Sequence, residues 1–292
     1  MATLTRRKSV LISGCSAGGI GAALAHVFQE KGYHVFASLR NPAKIPPHLS
    51  NAPNVTVLTL DVLSSESIAA AVEKINRDTG GTLDVLVNNS GTGIFAPALD
   101  TPIEEARKLF DLNFWAPLAM LQAFAPLLIK AKGCLVNNTS ANAVVPMALM
   151  SMYNGSKAAL ATASETWRLE LQPLGVRTMT LITLGVNTGA FSRNLRPEIP
   201  KASPYFEVRD SIFGLAKDRF QASALSPGEY AARVVREVEK GTPGTVWVGK
   251  DAFMARLGWW LSPQFVRDWM VESFIPISSV MAKVAKEKSK HD

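Results

Sequence analysis

The chain has 292 residues, of which 47% are hydrophobic and 19% are charged, and this composition excludes the high-charge, low-hydrophobicity pattern of intrinsic disorder. The formal net charge is +7, of which +3 precedes the first predicted strand and +2 lies in the last ten residues. Because the rest of the chain is nearly balanced and has no basic stripe, nucleic acid is not expected to be a partner.

Short apolar segments alternate along the chain with longer helical patterns. Strands are predicted at residues 9–12, 34–38, 55–60, 83–88, 134–138, 176–182 and 245–248. Helices are predicted between them, among others at residues 20–31, 65–77 and 151–171. The first six strands are continuous Val-, Leu- and Ile-rich segments, as in parallel sheets that are covered on both faces. The sequence therefore predicts an α/β fold, a single doubly wound (Rossmann-type) domain over residues 1–250 with a seven-stranded, mostly parallel sheet.

Two segments depart from this alternation. Residues 192–226 contain several prolines among mixed polar and aromatic residues, which predicts a substrate lid. Residues 251–292 follow the last strand and are predicted to form an amphipathic C-terminal helical extension. This extension allows two hypotheses. It packs on the core or over the pocket, or it contacts a membrane or lipid droplet through its tryptophans and its terminal lysines.

Three further features bear on the location of the protein. The apolar run 116–129 is shorter than a bilayer span and contains Gln122, so it predicts a buried helix. Cys15 and Cys134 have no metal-ligand spacing, which predicts a reducing compartment and no metal site. The first eight residues have no apolar stretch of signal-peptide length. A cytoplasmic protein is expected, with peripheral contact to the endoplasmic reticulum or lipid droplets under the membrane hypothesis.

A glycine-rich turn follows the first strand and opens the first helix. Glycine in this setting lets backbone amides approach a pyrophosphate at a helix N-terminus, which predicts a dinucleotide site. The same residues also match the G-x-S-x-G elbow of hydrolases, with Ser16 as the nucleophile. None of the four histidines has a setting that suits such an enzyme, so the dinucleotide is favoured. The candidate contacts in this turn are Gly14, Ser16, Gly18, Gly19, Ile20 and Gly21.

The end of the second strand indicates which dinucleotide is bound. A carboxylate at this place would bind a ribose hydroxyl, whereas a cation would bind a 2′-phosphate. The segment Ser38-Leu39-Arg40 has no carboxylate, and the guanidinium of Arg40 suits a phosphate. NADPH/NADP+ is therefore the predicted cofactor. The alternative is that Arg40 is an ordinary solvated arginine.

A tyrosine and a lysine four residues apart open the long helix at residues 151–171. This spacing places Tyr153 and Lys157 on one face of the helix, where the ammonium is expected to lower the pKa of the phenol. Tyr153 is then a candidate general acid for carbonyl reduction. Ser140 follows the fifth strand at the same edge of the sheet and can hydrogen-bond the substrate oxygen.

Together these motifs resemble the short-chain dehydrogenase/reductase family. Asp61 with Val62 resembles its adenine-pocket acid, residues 88–91 its N-N-A-G segment, and Asn113 its helix asparagine. The resemblance implies that Asn113 holds a helix distortion and a proton-relay water linked to Lys157, and that Lys157 binds the nicotinamide ribose. The resemblance also implies cofactor contacts from Asp61, Val62, Asn89, Ser90, Gly91, Tyr153, Lys157, Val186 and Thr188.

Three departures from the common family pattern narrow the resemblance. The turn has an additional glycine, Ser90 replaces an alanine, and Leu184-Gly185 replaces the usual P-G. The additional glycine, the missing proline and the long C-terminal segment together resemble the branch of NADPH-dependent 1-acyldihydroxyacetone phosphate reductases, and many fungal secondary-metabolite reductases share these features.

The resemblance implies a carbonyl reductase for a hydrophobic polyketide-derived or lipid-like ketone or aldehyde. One alternative is a 1-acyldihydroxyacetone phosphate reductase, in which Arg193, Arg196 and Lys201 could bind the phosphate of the substrate. The other is a non-catalytic NADPH-binding protein. A homodimer or homotetramer is implied through the helices that contain Asn113 and Tyr153.

Overall fold

The computed structural model describes residues 6–188, 199–211, 214 and 224–288. Seven strands form one sheet in the order β3-β2-β1-β4-β5-β6-β7, and all six pairings are parallel. The sheet is therefore the predicted doubly wound one, with parallel pairing throughout. The strands are β1 Ser9–Ser13, β2 His34–Leu39, β3 Val55–Thr59, β4 Val85–Asn88, β5 Cys134–Asn138, β6 Arg177–Thr183 and β7 Gly244–Val248.

Ten α-helices lie in the described residues, and five of them cover the two faces of the sheet. One face is covered by α1 and α7, whose buried Phe28, Tyr230 and Val234 pack on β1, β4, β5 and β6. The other face is covered by α3, α5 and α6, with Phe124 and Leu128 of α5 in its core. The helices are α1 Ile20–Glu30, α2 Pro47–Ser50, α3 Ser65–Thr79, α4 Ile103–Phe110, α5 Ala116–Ala131, α6 Ser151–Leu171, α7 Pro227–Lys240, α8 Ala252–Leu261, α9 Gln264–Phe274 and α10 Ile277–Lys288.

A π-helical turn at Asp111–Trp115 joins α4 to α5 without a break. The resulting helix, Ile103–Ala131, has 29 residues and is long and apolar enough to cross a membrane by length and composition. The apolar run 116–129 is only one part of this helix, because α4 and the π-turn extend it on the N-terminal side. The expected burial is observed, since Met120, Phe124 and Leu128 lie in the core against the sheet.

The C-terminal helices are packed on the body of the protein. Ile275, between α9 and α10, is fully buried in a cluster with Phe95, Met147 and Met150. Part of the predicted lid joins the same cluster through Val208. Arg193, Arg196 and about half of the predicted lid lie outside the described residues, so the lid stays a prediction.

The winding of the sheet reverses between β1 and β4. The chain moves outward from β1 through β2 to β3, and then returns to β4 on the other side of β1. The connections that follow β1 and β4 therefore run in opposite directions. They leave a crevice at the carboxyl ends of these strands, where ligands bind in open α/β sheets. The site is expected at this edge.

Candidate active site

A cleft of about 830 Å³ lies at the carboxyl ends of the strands. Loops after β1, β2, β3, β4, β5 and β6 form one side, and residues of α8 and α9 contribute to its wall. Most of the predicted site residues line this cleft: Gly14, Ser16, Gly19, Ile20, Arg40, Asp61, Val62, Asn89, Ser90, Gly91, Ser140, Tyr153, Lys157, Val186 and Thr188. Gly18, Gly21 and Asn113 do not line it.

The glycine turn brings the N-terminus of α1 to the cleft. Gly19 is the N-cap of α1, and no side chain caps the N–H groups of its first turn. Gly14 has φ +77°, which favours glycine, and lies under Gly21, where a Cβ atom would come within 2.4 Å of the Gly14 carbonyl oxygen. Gly18 has φ +73° and open space at its Cβ position. Gly19 therefore faces the cleft, while Gly18 shapes the turn and Gly21 permits close packing.

Asn89 holds the ends of three strands together. Its Nδ2 donates to the Ser13 carbonyl oxygen at 2.8 Å, and its Oδ1 accepts from Asn138 Nδ2 at 3.0 Å. The hydroxyl of Ser13 accepts from the backbone N–H groups of Asn89 and Ser90. Asn89 lines the cleft, but its amide is engaged within the protein and fixes the distance between β1, β4 and β5.

Arg40 and Asp61 follow β2 and β3. Among the described residues the Arg40 guanidinium has no hydrogen-bond or ion-pair partner, so all its donors are available to a ligand. Asp61 Oδ1 accepts from the Leu63 N–H at 3.1 Å, which fixes the carboxylate at the turn. Val62 is buried beside it. This corner of the cleft combines a free cation, a fixed carboxylate and an apolar side chain.

Ser140, Tyr153 and Lys157 meet deeper in the cleft. Lys157 Nζ lies 6.0 Å from the centroid of the Tyr153 ring and donates to the Asn138 carbonyl oxygen at 2.9 Å. Ser140 Oγ accepts from the Asn142 N–H at 3.2 Å. The loop after β5 thus fixes the serine, and α6 carries the tyrosine and the lysine one turn apart.

Burial governs the proton chemistry of these side chains. It lowers the pKa of Lys157 from 10.5 to about 8, because the charged ammonium is poorly solvated. Burial also raises the pKa of Tyr153, and a hydrogen bond from Ser140 opposes this increase. The expected decrease in the pKa of Tyr153 beside Lys157 is therefore wrong for this structure. A phenol that keeps its proton suits a proton donor.

Asn113 lies in the π-turn and is fully buried. Its Oδ1 accepts from the Thr92 N–H at 3.0 Å, and its Nδ2 donates to the Thr92 carbonyl oxygen at 2.9 Å and to Ser156 Oγ at 3.0 Å. The predicted helix distortion is present. The side chain joins the loop after β4 to α6, beside Gly91, while the proton-relay water stays a prediction.

Sequence reasoning missed a buried hydrogen-bonded chain beside the cleft. Tyr230 OH lies 2.6 Å from Thr183 Oγ1, which donates to Asn138 Oδ1 at 2.6 Å. Since the Asn138 carbonyl oxygen also accepts from Lys157, the chain links α7 and β6 to the lysine. The only sequence signal was the paired asparagines before Ser140, since Tyr230 is far away along the chain.

The sequence did not predict which residues form the far wall of the cleft. This wall is apolar and comes from the loop before α6 and from the two helices after β7. Its members are Val145, Met147, Met150, Ala255, Trp259, Met270, Val271 and Phe274. The hydrolase alternative would need a histidine beside Ser16, and the three histidines in the described residues, His26, His34 and His48, lie outside the cleft.

Comparisons with known proteins agree with this geometry. The family model described as short chain dehydrogenase matches residues 8–198. The short-chain dehydrogenase ptmH of Penicillium ochrochloron is 43% identical over 276 residues, which cover 93% of this chain and 99% of the relative. An NADPH-dependent 1-acyldihydroxyacetone phosphate reductase of Schizosaccharomyces pombe is 40% identical over 209 residues, 70% of each chain.

A solved structure has the same fold. The short chain dehydrogenase from Burkholderia cenocepacia in complex with NADP superposes with a TM-score of 0.71 at 24% identity, over 90% of this chain and 97% of that one. The family model covers well over half of the chain, and the cleft contains the motifs on which the family resemblance rested. The protein is a member of the short-chain dehydrogenase family.

Proposed function

We propose that the protein is an NADPH-dependent carbonyl reductase that acts on a ketone or aldehyde of a hydrophobic substrate. The observation that carries this proposal is the meeting of Ser140, Tyr153 and Lys157 in one cleft with an uncapped helix N-terminus. A relative that is 40% identical is named as NADPH-dependent, which supports the choice of cofactor.

The residues at the first half of the cleft fit NADPH. The first-turn N–H groups of α1 suit the pyrophosphate, since a helix N-terminus favours an anion. Arg40, which has no partner among the described residues, would bind the 2′-phosphate. Asp61 and Val62 would contact the adenine, and Val186 and Thr188 the nicotinamide amide or a phosphate.

NADPH, when bound, supplies the hydride that forms the new C–H bond. Tyr153 would donate its proton to the carbonyl oxygen, and Ser140 would hydrogen-bond the same oxygen as negative charge develops. Lys157 would return a proton towards the tyrosine and contact the nicotinamide ribose. The product is the alcohol, and the proton consumed comes from solvent.

The apolar far wall favours a hydrophobic substrate. Met147, Met150 and Trp259 leave few polar groups to fix a sugar or a small acid. The second candidate is a 1-acyldihydroxyacetone phosphate substrate, which the relative from Schizosaccharomyces pombe supports. Its phosphate needs cations. Lys250 lines the cleft, Lys201 is exposed in the predicted lid, and Arg193 and Arg196 lie outside the described residues.

The test is NADPH oxidation, followed by absorbance, against ketones, aldehydes and an acyl-dihydroxyacetone phosphate. Turnover is expected with apolar carbonyl compounds. A preference for the phosphorylated substrate that Lys250→Ala removes would support the second candidate. NADPH binding without turnover on any carbonyl compound would instead identify a non-catalytic NADPH-binding protein.

The assembly is a separate part of the proposal. Trp115, at the end of the π-turn, and Leu169 of α6 expose 55% and 60% of their surfaces. Apolar residues on these two helices favour a homodimer or homotetramer that buries them. Light scattering of the purified protein would give the mass, and a monomer at all concentrations would contradict this assembly.

A further inference from the structure

The outer face of α8 and α9 is apolar and exposed. We define it by Phe253, Met254, Leu257, Trp260 and Leu261 of α8, together with Phe265 and Trp269 of α9. These are seven of the fifteen large hydrophobic residues exposed in the described part of the chain. Scattered exposed hydrophobic residues are ordinary, but a contiguous group marks a contact site.

The exposed apolar residues of α8 have the spacing that is usual for the buried side of a helix. Phe253, Leu257, Trp260 and Leu261 are spaced by four, three and one, which places them along one stripe. The opposite side is already packed, since Trp259 is buried and Ala255 lines the cleft. A helix that is apolar on both sides normally has a partner on each of them.

A cation that is unpaired within the described part of the chain favours an anionic partner at this face. Arg256 is the only charged residue of α8, is exposed, and has no ion-pair partner among the described residues. It lies three residues after Phe253 and four before Trp260, so it flanks the stripe. In α9, Asp268 accepts from Gln264, and Glu272 accepts from the Ser278 N–H.

We propose that the outer face of α8 and α9 docks on a phospholipid surface that carries anionic headgroups. Helices of 10 and 11 residues cannot span a bilayer, but they can lie in its interface with their aromatic residues inserted. Tryptophan favours this depth, and Arg256 would meet the headgroups.

The outer face lies close to the cleft, so docking on a membrane would serve substrate access. Trp259, Met270 and Phe274, on the same two helices, line the apolar wall of the cleft. A membrane against the outer face would lie next to the cleft, where a hydrophobic substrate concentrates. This use rests on the proposed function, whereas the docking itself does not, so vesicle binding and reductase activity are measured separately.

The experiment is flotation of the intact protein with vesicles of phosphatidylcholine, with and without phosphatidylglycerol. Binding is expected to be stronger with phosphatidylglycerol and to weaken as NaCl is added. Leu261→Ser should weaken the partition roughly tenfold, since it removes one large apolar side chain from the contact. The matched control is Leu174→Ser, on another surface, where the leucine is 50% exposed compared with 74% for Leu261. Both variants should reduce a water-soluble ketone as well as the unmodified enzyme does.

Three results would overturn the proposal. The protein could remain unbound with both kinds of vesicle, or Leu174→Ser could lose as much binding as Leu261→Ser. The third is that Leu261→Ser lowers the mass of the free protein in light scattering, which would assign the face to a subunit interface. Equal binding to both vesicles would reject the role of anionic headgroups.

Discussion

At the scale of single residues, the same burial has opposite effects on the pKa values of Tyr153 and Lys157. Desolvation disfavours whichever form is charged, so the phenol retains its proton and the ammonium loses its proton more readily. A hydrogen bond from Ser140 counters this effect at Tyr153. Tyr153 therefore keeps the proton that the proposed reduction would require it to donate.

Tyr153→Phe should remove the proton donor and leave the cleft intact. The expected loss in kcat is roughly 10² to 10⁴, the usual contribution of a general acid. NADPH affinity, measured by fluorescence titration, should change little. The matched control is Tyr33→Phe, at a buried tyrosine that does not line the cleft. Near-normal turnover of Tyr153→Phe would exclude this role for the phenol.

The pH dependence of reduction should report Lys157. Its pKa of about 8 means that the ammonium is mostly present at neutral pH and is lost as the pH rises through that value. Tyr153, whose pKa is raised, keeps its proton over this range. We expect kcat/KM to decrease above a pH of about 8, as measured in a pH profile at saturating NADPH. A profile that stays flat across this titration would contradict the assignment.

Arg40→Ala should weaken NADPH binding much more than NADH binding. Only NADPH carries the 2′-phosphate, and a hydrogen bond to a charged group contributes about 1.5 to 3 kcal/mol. Lys44→Ala, at a nearby cation that does not line the cleft, is the matched control. Titration of both cofactors against each variant gives the comparison, and equal losses for the two cofactors in Arg40→Ala would show that it does not discriminate between them.

At the scale of secondary-structure elements, the hydrophobic period predicted the strands and helices, because these depend mainly on local sequence. All seven strands and the long helix at Ser151–Leu171 are found where they were expected. The predicted start of β4 was two residues early, because the Leu83 N–H bonds to the Leu127 carbonyl oxygen of α5 and not to a neighbouring strand. The π-turn at Asp111–Trp115 came from the family resemblance alone, since its hydrogen bonds to Thr92 and Ser156 join segments distant in sequence.

The packing of the glycine turn gives a prediction at this scale. In Gly21→Ala the new Cβ atom would meet the backbone of Gly14, so β1 and α1 must separate. The expected cost is about 1 to 3 kcal/mol in the free energy of unfolding, with weaker NADPH binding. Gly228→Ala in α7 is the control, since its Cβ would meet nothing and its φ is ordinary. Denaturant unfolding measures both, and equal stability of the two variants would contradict the close packing.

At the scale of the whole molecule, the two halves of the cleft come from different parts of the chain. Loops after β1, β2, β3 and β4 form the half that suits the dinucleotide, and these followed from sequence motifs. The apolar far wall depends on α8 and α9, which only tertiary packing brings back over the loop at Met147 and Met150. Sequence patterns could predict an amphipathic extension there, but not which of its side chains reach the substrate.

Removal of the extension should therefore affect the substrate more than the cofactor. Truncation after Lys250 removes Trp259 and Phe274 from the cleft wall and takes Ile275 away from its cluster with Phe95. Thermal stability is expected to fall, and the KM for a bulky ketone to rise, while NADPH binding at the N-terminus of α1 remains.

Trp259→Ala tests the same wall without removing the extension. The role of the wall in substrate binding can therefore be tested even if the truncated chain fails to fold. Its side chain lines the cleft and is buried under α9, beside the guanidinium of Arg267, whose carbon lies 5.4 Å from the ring centroid. We expect a higher KM for bulky ketones and little change for a small one. Trp269→Ala, at an exposed tryptophan of α9 that does not line the cleft, should leave both unchanged and serves as the control. Unaltered kcat/KM of Trp259→Ala on the bulky ketone would mean that the substrate binds elsewhere in the cleft.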